Sequence, residues 1–99
     1  MAEIQFYELS TAADQDLEDI FDYLDHHYGG RRAEEYLLTL EALFGQLVDY
    51  PEMGVSRDKI RTGLRSFPKA QHIVFYRILP NRVRIVRILH QYRDLRRHL

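Results

Sequence analysis

The chain predicts an α+β fold: an N-terminal strand, an antiparallel helical hairpin, then a three-stranded antiparallel sheet, in the order β-α-α-β-β-β. Three observations carry this. Between residues 11 and 50, apolar side chains recur every three to four positions, the period of a helix that buries one face. Gly29-Gly30 cuts that stretch in two and Pro51 closes it, so it folds as two helices joined by a minimal turn. After Gly63, runs rich in Val, Ile, Phe and Tyr are separated by turn residues, the mark of successive strands. Adjacent helices followed by adjacent strands pack as a helical layer on a sheet.

IQFYEL, residues 4–9, reads as a short strand. Ser10 or Thr11 then caps a helix whose stripe is Ala13, Leu17, Ile20, Leu24 and Tyr28, with Phe21 alongside. Asp14, Asp16, Glu18 and Asp19 sit in its early turns, where the helix dipole favours negative charge. Gly29-Gly30 stops it. A second helix starts near Arg31 and buries Ala33, Tyr36, Leu37, Leu40, Phe44 and Leu47. The aromatics at 21, 28, 36 and 44 fall at core spacing and read as packing. YPEMGVSRDKI, residues 50–60, is a loop by composition. GLRSFP (63–68) is a short strand and QHIVFYRIL (71–79) a strong one. Pro80-Asn81 turns the chain into RVRIVRILH (82–90). Simple alternation places Val83, Ile85, Arg87 and Leu89 on one face of that strand and Arg84, Val86, Ile88 and His90 on the other. DLRRHL, residues 94–99, is a last helical turn or a loose tail.

The 99 residues make one expected domain, 1–99. Hydrophobic residues at 45% and charged residues at 29% allow a core and argue against disorder. No cysteine is present, which excludes disulfides and thiolate metal sites and fits a reducing compartment. MAEIQFYELS lacks the basic and apolar regions of a signal peptide, and no apolar run is long enough for a membrane span. A small cytoplasmic protein is expected. Its net charge of −1 hides an asymmetry. Residues 1–50 hold two basic and twelve acidic side chains, and residues 51–99 hold twelve basic and three acidic ones. The first half repels polyanions and the second attracts them.

The stretch RVRIVRILHQYRD concentrates that positive charge. Arg82 and Arg84 lie near the turn and reach solvent. Arg87 interrupts an apolar face and has two readings. It pairs with a helix carboxylate or snorkels to water, because an isolated buried charge is costly. Alternatively it points into a concave anion-binding surface. His90, Tyr92 and Arg93 bring together imidazole, phenol and guanidinium, the base, acid and cation that cleavage of RNA through its 2′-hydroxyl requires. Such a cluster at a strand end is also common without catalysis. His26-His27 point in different directions on a helix end and read as capping or surface residues. His72 and His98 carry no pairing pattern. No metal motif, Gly-rich phosphate loop or catalytic triad pattern is present, so neither metal nor cofactor is expected.

The ordered set of motifs resembles the ParE branch of the RelE/ParE toxin superfamily. S-x-A-A-x-x-D-L-x-x-I opens the first helix, and L-x-x-x-P-x-x-G closes the second with Pro51 and Gly54. Arg61, Gly63, Leu64, Arg65, Phe67, Pro68, His72, Phe75, Tyr76 and Arg77 fill the next segment, and Ile85 to His90 with Asp94 fill the last. The resemblance covers nearly the whole chain. It implies the toxin of a type II toxin–antitoxin system, of the plasmid-stabilising kind. Such a toxin poisons DNA gyrase and is held inactive by a ParD-like antitoxin, with no sequence-specific DNA binding of its own. The residues expected to meet target or antitoxin are Arg61, Arg65, Arg84, Arg87, His90, Tyr92 and Arg93. RelE-like relatives instead cut messenger RNA on the ribosome. On that reading the chain is an endoribonuclease, with Lys59 and Arg61 nearby and Arg65, Arg87, His90 and Tyr92 as its catalytic set. A third reading is an inactive toxin relative that serves only as an antitoxin-binding module.

Overall fold

The computed structural model describes residues 3–91 together with 98 and 99. Strand β1 (Phe6–Leu9) leads into helices α1 (Thr11–Tyr28) and α2 (Gly30–Asp49). A 3-10 turn (Pro51–Met53) and the two-residue strand β2 (Val55–Ser56) follow, then β3 (Leu64–Lys69), β4 (His72–Leu79) and β5 (Arg82–His90). The expected order therefore holds, with β2 added inside the segment read as a loop. The five strands form one sheet in the order β1-β5-β4-β3-β2. β1 runs parallel to β5, and the other pairs are antiparallel. The helical hairpin thus carries the chain from β1 at one edge of the sheet to β2 at the opposite edge.

Ser10 caps α1: its Oγ accepts from the Ala13 amide at 2.9 Å. The joint works because Gly29 adopts φ +91°, a conformation costly for a side-chain-bearing residue, while its N–H still reaches the Asp25 carbonyl. The hairpin packs Ala13, Ile20, Leu40, Leu43, Phe44 and Leu47 against Val74, Tyr76, Val83, Ile85 and Ile88 of the sheet. Tyr7 and Phe44 meet within it with ring centroids 5.3 Å apart. Leu43 joins the predicted stripe, whereas Tyr28, expected to pack, is 58% exposed as the last residue of α1. On the opposite sheet face Leu64, Phe75 and Leu89 gather Ile60, Ile73, Val86 and Leu99.

A bulge corrects the expected alternation of β5. The ladder pairs Tyr76 with Ile85 but Phe75 with Arg87, leaving Val86 as an extra residue. Val83 and Ile85 face the helices, and beyond the bulge Ile88 does too, while Val86 and Leu89 join the second cluster. The single face of Val83, Ile85, Arg87 and Leu89 therefore does not form. Apart from His98 and Leu99, the tail expectation for residues 94–99 lies outside the described residues.

Candidate functional site

β1 covers β5 only from Arg82 to Ile85. Beyond that point the edge of β5 needs other partners, and α1 supplies them. Ser10 Oγ donates to the Val86 carbonyl at 2.7 Å. Asp16 Oδ2 accepts from the Ile88 amide at 2.9 Å. The same carboxylate grips Arg87 with both oxygens, Nε to Oδ2 at 2.8 Å and Nη2 to Oδ1 at 2.9 Å. Arg87 Nη1 donates to the His98 carbonyl at 3.0 Å. These side chains are only 20% and 12% exposed. The hydrogen bonds Arg87 donates to Asp16 hold its pKa above its ordinary value against the opposing effect of burial. The pairing with a helix carboxylate that the sequence offered for Arg87 is present, and the side chain also lines a cavity.

Arg87 and His90 come together at a cavity of about 260 Å³ whose wall includes Asp16, Asp19 and His72. His72 lies directly opposite His90 on β4, with ring centroids 5.5 Å apart and edge to face. Tyr36 Oη hydrogen-bonds His72 Nδ1 at 2.5 Å, tying α2 to the end of the sheet. Burial raises the Tyr36 pKa. An adjoining cavity of about 550 Å³ is lined by Tyr23, Leu24, Tyr36 and Gln71 as well as both histidines. Sequence reading gave His72 no partner. Counting back from Leu79 opposite Arg82, an unbroken ladder would set His72 against Leu89, and the bulge moves the register by one to His90.

Arg65 lies on β3, away from this cavity. Its Nη2 donates to the carbonyls of Glu52 at 3.1 Å and Gly54 at 2.7 Å. Buried Tyr76 completes the clamp. Its hydroxyl accepts from the Gly54 amide at 2.9 Å and donates to the Pro51 carbonyl at 2.7 Å. A Cβ on Gly54 would stand 2.5 Å from Tyr76 Oη and 2.6 Å from the Ser66 carbonyl. The Pro51 and Gly54 motif and the later Arg65 and Tyr76 motif are therefore two halves of one structural lock. Sequence reading missed this use of Tyr76, which stands 22 residues from Gly54 and meets it only in the fold.

Arg61 Nη2 donates to the Leu99 carbonyl. Arg84 pairs with Glu8 at 3.4 Å, and Arg82 Nε also donates to Glu8. The Arg82 hydrogen bond pulls the Glu8 pKa below its usual value. Asp58 is likewise lowered, first by the Gly63 amide that donates to it at 2.8 Å. Tyr92 and Arg93 lie outside the described residues. Among the described residues no cluster of three or more His, Asp or Glu is placed to hold a metal ion. Nor, among the described residues, is any helix long and apolar enough to cross a membrane.

The hairpin-on-sheet arrangement has a counterpart among solved structures. It superposes with a TM-score of 0.75 on a solved structure described as the chromosomal ParDE TA system from P. aeruginosa, at 18% identity over 89% of this chain and 96% of that one. The family model described as ParE toxin of type II toxin-antitoxin system, parDE, matches residues 7–95. The chain is 38% identical over 93 residues to Toxin ParE1 of Caulobacter vibrioides, spanning 94% of this chain and 96% of the relative. It is 36% identical over 94 residues to Toxin ParE1 of Mycobacterium tuberculosis, spanning 94% and 96%. The chain belongs to the ParE toxin family of type II toxin–antitoxin systems.

Proposed function

We propose that this toxin poisons DNA gyrase, so blocking replication, and that a ParD-like antitoxin holds it inactive. Family membership supports a toxin working within such a pair. The observation that favours gyrase over RNA cleavage is the wall of the cavity where Arg87 and His90 meet. Asp16 neutralises the guanidinium there and Asp19 stands beside it. Carboxylates at that wall repel a phosphodiester. A guanidinium held by two carboxylate oxygens does not serve the charge of a phosphorane. Arg65, on β3 and bound to backbone carbonyls, does not replace it.

The antitoxin segment is expected to be acidic and partly apolar, folding as it binds. Exposed apolar surface is available beside the hairpin at Tyr23, and at Tyr50, Met53 and Ile78. Its acidic residues would reach the cations of the second half of the chain. The toxin acts in the cytoplasm as one domain, without a cofactor. The test is expression without antitoxin, followed by recovery of DNA and transcripts. Double-strand breaks with intact messenger RNA, relieved by a co-expressed antitoxin, are expected. Cut transcripts with intact DNA would establish the RelE-like reading instead, and harmless expression would establish the antitoxin-binding module.

A further inference from the structure

The sheet face turned away from the helices carries a row of cations that sheet energetics alone would avoid. Val83, Ile85 and Tyr76 point into the helix-side core, so Arg84 and Arg77, which alternate with them, point the other way. The register sets Arg77 of β4 directly opposite Arg84 of β5, with Glu8 of β1 on one side and Leu64 of β3 on the other. Arg82 lies two residues along on the same face. Like charges directly opposed on neighbouring strands destabilise a sheet. Glu8 is shared between Arg82 and Arg84, while Arg77 Nη2 reaches the Thr62 carbonyl at 3.3 Å. Arg57 extends the row through its hydrogen bond to Ser66 Oγ at 2.8 Å. Asp58, held by the Gly63 amide, is a second carboxylate close by. Arg82 and Arg84 remain 33% and 41% exposed.

We propose that Arg77, Arg82 and Arg84 form a contact surface for the phosphate backbone of duplex DNA, engaged without reading base sequence. Arginine presents a planar fork of donors that matches phosphate, and these three are mounted on paired strands rather than on loops. Phosphate contacts fix position and supply non-specific affinity without base readout. The acidic side chains of α1 lie on the other side of the sheet, so the field of the molecule turns this face toward a polyanion. The observations favour DNA over an acidic amphipathic peptide. Cavities with apolar lining open on the helix side, around Tyr23 and Tyr36 and around Tyr50, Met53 and Ile78. A backbone of phosphates needs no such footing.

The test is fluorescence anisotropy of a labelled duplex of scrambled sequence, titrated with the purified full chain at several salt concentrations. Binding on the order of micromolar at low salt is expected, with log K against log salt falling with a slope of about −2.7 for three phosphate contacts. The Arg77→Gln/Arg84→Gln variant, which also relieves the opposed charges, should reduce the slope to about −0.9. Glu8→Gln should tighten binding, a gain that misfolding cannot mimic. Arg31→Gln/Arg32→Gln on α2 should leave binding unchanged. No binding at low salt, or binding that Arg77→Gln/Arg84→Gln does not alter, would overturn the proposal. So would capture of polyglutamate but not DNA, which would give the face to an acidic peptide. Gyrase poisoning without DNA binding would sink this inference alone, and DNA binding without gyrase poisoning would sink only the target.

Discussion

Asp16 does three things with one carboxylate: it neutralises Arg87, fixes its direction and closes the open edge of β5 at Ile88. Removing it leaves a mostly buried guanidinium and an amide without their acceptor. Asp16→Ala is therefore expected to cost about 3 kcal/mol, read as a lower urea midpoint. Asp16→Ala/Arg87→Ala should recover part of that loss, because the orphaned charge goes too. Tyr76→Phe strips both bonds from the 51–54 turn and should cost about 2 kcal/mol in the same measurement. The sequence made Arg87 conspicuous and offered an ion pair as one of its two readings. It did not name Asp16, because the partners stand 71 residues apart and only the packing of α1 on β5 joins them.

The elements were largely legible where periodicity is strong. The strand expected at 82–90 appears with those bounds, and both helices end at the Gly-Gly joint and at Pro51. Periodicity does not report a bulge, so the faces of β5 past Val86 and the meeting of His72 with His90 were out of reach. A two-residue strand such as β2 is too short to have a period at all. The turn before it depends on a close approach that only glycine permits. Gly54→Ala should destabilise the fold by about 2 kcal/mol through overpacking against Tyr76 and the Ser66 carbonyl, measured by thermal unfolding. Ser10 serves two elements, as the cap of α1 and as a donor to the β5 edge. Ser10→Ala should therefore exceed the roughly 1 kcal/mol loss of an ordinary cap in urea unfolding.

The acidic and basic halves seen in the sequence become, in the fold, acidic helices and a basic sheet with its loops. That division was legible from charge counting, whereas the alignment of Arg77 with Arg84 needed the register. Charge also sets the response to acid. Glu8 and Asp58 have folded pKa values below their ordinary 4.5 and 3.8, so the unfolded chain binds their protons more readily. Their contribution is complete above those values and is lost as the pH falls through them. Urea midpoints should therefore decline as the pH falls below about 4.5, where these two carboxylates begin to take up protons in the unfolded chain. Glu8→Gln/Asp58→Asn should flatten part of that decline.

Purified components decide between the proposed gyrase poison and a nuclease. The chain would be incubated with DNA gyrase, ATP and relaxed plasmid, and the products separated after protein denaturation. Blocked supercoiling with trapped double-strand breaks is the expected result. Unimpaired supercoiling by gyrase, with a folded toxin that still binds its antitoxin, would contradict it.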